Sequence, residues 1–272
     1  MYRTILVHAD TEPGAAQRIC LAADVARHFE AKLIGVTAAL QRPPVEALSA
    51  GVGDAGLLEL ELEQITEDFK IAEQQFRTLA GEAGVRIEWR AVANFPTLAL
   101  ANAASVADLV IVGPGRSHLM GNDYRKVNPG ELIIRAGRPV LIAPSGANVL
   151  DVRNVLVAWK NTREAHRAVF DALPFLKRAE AVNLVEIRGS REAGSLQDAE
   201  AFLSAHAVKV HAESLEGDLT TIEEQLTAFA RRAQSDLMVA GGYGHTRIRE
   251  LVFGGVTRSL IANCPVATLL SH

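Results

Sequence analysis

Two pairs of glycines bracket one stretch near the end of the chain: Gly241 and Gly244 on one side, Gly254 and Gly255 on the other. Glycine lets main-chain N–H groups approach an oxyanion closely, and a helix opening at Gly255-Val256-Thr257 would add the partial positive charge of its N-terminus. Thr246, Arg247 and Arg249 lie between the two pairs and supply further polar groups. A loop of this kind suits a phosphate-bearing ligand. The same glycines also serve tight turns in a plain strand–loop–helix connection, so the pattern alone is generic.

Other chemistries find no foothold. There is no G-x-x-x-x-G-K-[ST] run, and the glycines follow a fourth strand rather than the first, unlike a dinucleotide-binding fingerprint. The eight histidines show neither HxxxH nor HExxH spacing, so no metal site is expected. No G-x-S-x-G elbow is present. Cys20 and Cys264 lie almost the whole chain apart without a CxxC pair, which fits a reducing compartment.

The 272 residues carry 28 Lys+Arg against 32 Asp+Glu, a formal net charge of −4, and 49% are apolar. That supports substantial cores and excludes disorder. The 5% aromatic content and slight acidity argue against nucleic acid as a partner. The longest apolar runs, near 109–112 and 155–159, are far shorter than a membrane span. No membrane association is expected, and a cytoplasmic location is.

Short apolar runs alternate with amphipathic stretches, the signature of a parallel sheet covered by helices. Strands are expected at 4–9, 32–37, 85–92, 108–113 and 139–143, with helices at 14–29, 96–106 and near 129–136. A long helix carries Leu58, Leu62, Ile65, Phe69, Ala72, Phe76 and Leu79 along one seam. Residues 41–56 read as a Pro/Gly-rich loop. From residue 152 the order starts again, with strands at 152–159, 181–187, 208–213, 236–240 and 265–270 and helices at 163–176, 196–206, 221–233 and 255–262. "ADLVIVGPG" at 107–115 matches "SDLMVAGGY" at 235–243. The chain is therefore read as a duplication of two doubly wound α/β domains, residues 1–146 and 152–272. One ten-stranded sheet is judged the less favourable arrangement, given the linker and ordinary domain size.

The spacing Gly241-x2-Gly244-x9-Gly254-Gly255 resembles the ATP-binding motif G-x2-G-x9-G-[ST] of the universal stress protein family. The βαβαβαβαβ order, "SDLMVAGG" before the motif and "CPVATLL" after it resemble that family too. The resemblance covers both halves, so the chain is identified as a tandem member, with the fold of two adenine nucleotide alpha hydrolase-like domains forming a pseudo-dimer.

It implies that Gly241, Gly244, Gly254 and Gly255 cradle the phosphates of ATP, AMP or ADP, with Mg2+ accompanying ATP, and that Val256 and Thr257 open the phosphate-binding helix. Gly255 stands where the family has Ser or Thr. Lys160 stands where the family has a ribose-binding Asp, and would meet phosphate instead; Ala158 or Trp159 would border the base and the Ile187 backbone would contact adenine. The first half keeps that Asp as Asp10, but its loop reads Gly113-Pro-Gly115, with Pro129 and Glu131 at the following helix. That site is read as degenerate, with the Glu131 carboxylate standing where phosphate would sit.

The resemblance also implies that the last strands, 139–143 and 265–270, pair antiparallel within the chain. A homodimer through the seam beginning at Leu58 is a further available contact. No general base for hydrolysis is evident, so the expected role is regulatory, with a slow ATPase at most. Two alternatives stand beside it: an interaction module without nucleotide, and a binder of another small, apolar ligand in the altered cleft near Trp159.

Overall fold

The computed structural model describes residues 1–42, 55–115, 123–188, 196–216, 222–243, 255–263 and 265–272. Each apolar run becomes a strand. The first half forms β1 (Thr4–His8), α1 (Ala15–Phe29), β2 (Lys32–Ala39), α2 (Ala55–Glu82), β3 (Ile87–Ala93), α3 (Pro96–Ala103), β4 (Leu109–Val112), α4 (Pro129–Arg135) and β5 (Val140–Ile142). The second forms β6 (Asn154–Trp159), α5 (Arg163–Leu176), β7 (Ala181–Arg188), α6 (Leu196–Ala205), β8 (His211–Glu216), α7 (Ile222–Arg232), β9 (Leu237–Gly241), α8 (Gly255–Asn263) and β10 (Ala267–Ser271). Among the described residues, no helix is long and apolar enough to cross a membrane.

The strands make one ten-stranded sheet, in the order β3-β2-β1-β4-β5-β10-β9-β6-β7-β8. Each half is parallel and doubly wound, and the halves join where β5 and β10 pair antiparallel, Leu141 opposite Leu269. The expected pairing of the last strands is therefore present, and the expectation that one continuous sheet was disfavoured is corrected by it. Each last strand would otherwise expose a row of unpaired main-chain groups beside a fully buried core. Strands β4 and β5 are buried throughout, as a parallel sheet covered on both faces requires. Only β3 and β8, at the outer edges, show many accessible positions.

Helices α1, α2, α5 and α6 cover one face, over an apolar cluster that runs unbroken across the seam. Tyr2, Phe29 and Phe175 meet edge-to-face there with centroids 5.0–5.4 Å apart, and the Tyr2 hydroxyl donates to the Asp171 carbonyl at 2.6 Å. Helices α3, α4, α7 and α8 cover the other face.

Of the expected α2 seam, Ile65, Ala72 and Phe76 are buried, whereas Leu62 is 52% exposed. A helix of 28 residues spans about 42 Å, against about 26 Å for the eight-residue β2, so its first turns outrun the sheet. Most of the expected loop at 41–56 lies outside the described residues.

Candidate functional site

In a doubly wound sheet the crevice lies beyond the carboxyl ends of the strands where the winding reverses. Here that is between β1 and β4 in the first half and between β6 and β9 in the second. The two halves align closely. Asp108, just before β4, accepts at Oδ2 from the Arg3 and Thr4 amides at 2.7 and 3.0 Å. Asp236, just before β9, accepts at Oδ2 from the Arg153 and Asn154 amides at 3.0 and 2.7 Å. Ala15, Ile19 and Ala22 of α1 are buried as Ala165, Val169 and Ala172 of α5 are. In this register Asp10 corresponds to Lys160, His8 to Ala158 and Arg18 to Ala168.

The first crevice contains a buried polar network. Asp10 follows β1, and its Oδ2 lies 3.1 Å from His8 Nδ1. Its Oδ1 accepts from Arg18 Nη2 at 2.9 Å and from the Glu12 amide at 3.1 Å. Arg18 Nε also donates to the His8 carbonyl at 2.7 Å. Burial pushes the His8 imidazole down to about 4, against a smaller upward pull from the Asp10 carboxylate. The ring is therefore neutral at pH 7 and donates Nδ1–H to the carboxylate. Burial alone would raise Asp10, but His8, Arg18 and the Glu12 amide together hold it below the usual carboxylate range.

This crevice is filled by the chain's own groups. A Cβ on Gly113 would lie 2.7 Å from Arg18 Nη1, and one on Gly115 would lie 2.7 Å from Pro129 Cδ. The Tyr243 hydroxyl, reaching across from the second half, lies against Gly130 in the first turn of α4. The α4 N-terminus is already capped, since Asn128 Oδ1 accepts from the Glu131 amide at 3.2 Å. The Glu131 carboxylate was expected in the phosphate position. It instead pairs with Arg135 at 2.6 Å, one turn along the helix, because Asn128 has taken the free amide.

The second crevice is built from different side chains. Ala158 and Trp159 end β6 on opposite faces: Ala158 packs in the clusters beneath α7 and α8, and Trp159 in the one beneath α5. Lys160 comes next. Thr162 then caps α5, its Oγ1 accepting from the Ala165 amide at 3.3 Å. Gly241 closes β9, where a Cβ would lie 2.6 Å from the Ala165 nitrogen and 2.8 Å from the Glu164 carbonyl carbon. The missing side chain at Gly241 thus lets the first turn of α5 lie directly on the strand.

Gly255 and Val256 open α8, with a half-buried Thr257 behind them. Ile187 is half-buried near the end of β7. Gly244 and Gly254 lie outside the described residues, as do Thr246, Arg247 and Arg249. Among the described residues no cluster of His, Cys, Asp or Glu could hold a metal ion.

Sequence reasoning passed over His8, Arg18 and Tyr243. A signal existed for Arg18: a charged residue among the inward positions Ala15, Ile19 and Ala22 of an otherwise apolar helix face. Tyr243 gave none, because its target belongs to the other half.

The fold and paired crevices define a tandem doubly wound α/β protein with antiparallel last strands. Residues 1–122 match the model of the universal stress protein family, so the first half of the chain is similar to that family. Among solved structures, a universal stress protein from Archaeoglobus fulgidus DSM 4304 is similar over 98% of this chain and 95% of its own, with 16% identity and a TM-score of 0.73. A putative universal stress protein from Pseudomonas aeruginosa UCBPP-PA14 covers 99% of this chain and 93% of its own, at 15% identity and TM-score 0.59. A functionally unknown protein from Pseudomonas aeruginosa PAO1 covers 99% and 92%, at 15% identity and TM-score 0.57. At these identities the likeness speaks for the fold. No curated protein matches the chain.

Proposed function

We propose that this chain is a cytoplasmic stress-response protein that holds an adenine nucleotide in the crevice between β6 and β9, and acts through occupancy rather than turnover. One observation carries the reading: at corresponding positions the two crevices carry side chains of different charge and size. Where the first holds His8, Asp10 and Arg18, the second has Ala158, Lys160 and Ala168. A buried network is replaced by two methyl groups and a cation, which suits an anionic ligand.

In this reading residues 1–146 and 152–272 are the two domains, and only the second keeps a site. Gly244, Gly254, Gly255 and the Val256 amide approach the phosphates, with the Thr257 hydroxyl near them. Lys160 replaces the ribose-binding carboxylate and neutralises phosphate charge. The Ile187 backbone, with Ala158 or Trp159, borders the base. Bound ATP would bring Mg2+ through its own phosphate oxygens.

The test is direct. Denaturing the purified protein should release adenine nucleotide, and ATP titration should show binding weakened by at least about tenfold in Gly244→Val. A wild-type protein that releases none and binds none at millimolar ATP sinks the reading.

A further inference from the structure

A second feature of the same half lies one strand further out, over β6 and β7 rather than over β6 and β9. Between α5 and α6 the structure holds a cavity of about 340 Å³, within the range of small-molecule sites. Its origin is a difference in helix length. In the first half the 28-residue α2 packs directly on α1, with Ile65, Ala72 and Phe76 buried. Its counterpart α6 has 10 residues, and among the described residues the space is left open.

The walls have a definite character. Trp159, Val169 and Ala199 are buried and form the floor, and Phe202 adds a second ring. The Trp159 indole is stacked by His166 at 5.1 Å and 19°, and His166 Nε2 is held by Asn161 Oδ1 at 2.9 Å. This fixes the aromatic wall before any ligand arrives. The charged residue in the lining is Asp198, exposed at the mouth. Beneath it, Glu186 lies beside Trp159 in the β6–β7 register and is buried.

We propose that this cavity binds a small planar aromatic cation: an aromatic ring against Trp159 and Phe202, with its charged N–H groups directed to Asp198. A flat ring matches the aromatic walls, and a cation is favoured both by the ring faces and by the Asp198 carboxylate. A planar anion of the same shape meets the same walls and the opposite electrostatics.

The test uses the full chain carrying Trp89→Phe, which leaves Trp159 as its single tryptophan. Benzamidine, benzamide and benzoate, three flat molecules of similar size, are titrated against Trp159 fluorescence. Saturable quenching is expected, with benzamidine about threefold to tenfold tighter than benzamide and benzoate weakest. Asp198→Asn, at an exposed position, should bring benzamidine level with benzamide. Ala199→Phe, which fills the floor without adding a second tryptophan, should abolish saturation for all three.

Absence of saturable quenching by benzamidine overturns the site, and so does saturation that survives Ala199→Phe. An affinity order unchanged in Asp198→Asn overturns the assignment of a cation. The result stands apart from the nucleotide reading, since ATP is absent and Gly244 intact throughout.

Discussion

The two halves of this protein share one backbone plan and have taken opposite solutions at the same place. Both open with a strand whose entry is pinned by an aspartate, Asp108 or Asp236, accepting two main-chain N–H groups. Both lay an amphipathic helix over that strand with matching inward residues. At the crevice they part. The first half spends its space on a neutral histidine, a carboxylate and a buried arginine. The second keeps alanines there and places a cation at the position of Asp10. The two halves agree where the sheet needs them to, at strand entry and helix packing, and differ at the crevice, where the sheet sets no such requirement.

The difference can be broken most severely at Arg18. Arg18→Ala leaves the largely buried Asp10 without its guanidinium partner and should destabilise by about 3–5 kcal/mol in urea unfolding. A loss below about 1 kcal/mol would mean the network is ornamental.

Acidification comes next. His8 is held neutral by burial, with a value of about 4 against an ordinary 6.5. The unfolded chain therefore takes up a proton before the folded one does. Stability should fall as pH drops from about 6.5 to 4 and level off below, with roughly 3 kcal/mol attached to this group. Asp10, whose value is depressed, adds a loss in the same direction at lower pH. Replacing His8 with the second half's residue, His8→Ala, should flatten that limb; an unchanged curve contradicts the assignment.

The glycines separate the halves more finely. Gly241→Ala drives a methyl group into the main chain of α5 and should be destabilising by about 2–3 kcal/mol. Gly113→Ala meets the end of a side chain instead, and about 1 kcal/mol is expected. Equal losses at both would show that Arg18 is as immovable as backbone.

Last, Asp108→Ala and Asp236→Ala should cost about 1–2 kcal/mol each and nearly the same amount, since each removes one acceptor serving two amides. Unequal losses would mean the halves diverge below the crevice as well as in it.

Much of this molecule was legible without coordinates, and the particulars say why. Strands such as Leu109–Val112 are continuous apolar runs because both faces are covered, and α5 begins and ends where its pattern says. The repeat was visible at 107–115 and 235–243 because Asp108 and Asp236 do the same local work. Ala158 and Trp159 end β6 and Lys160 follows it, a placement already carried by the apolar run before them. Glu131 was misplaced because sequence cannot say which group reaches a helix amide first, and Asn128 did.

What the sequence determined by itself is the order of elements, their buried faces and the repeat of one half in the other. These follow from periodicity, which records local burial residue by residue. Tertiary structure alone decided that ten strands share one sheet, that Arg18 crosses to Gly113, that Tyr243 reaches Gly130, and that a short α6 leaves a cavity beside Trp159. Each of these depends on where two distant segments come to lie, and no local pattern carries that distance.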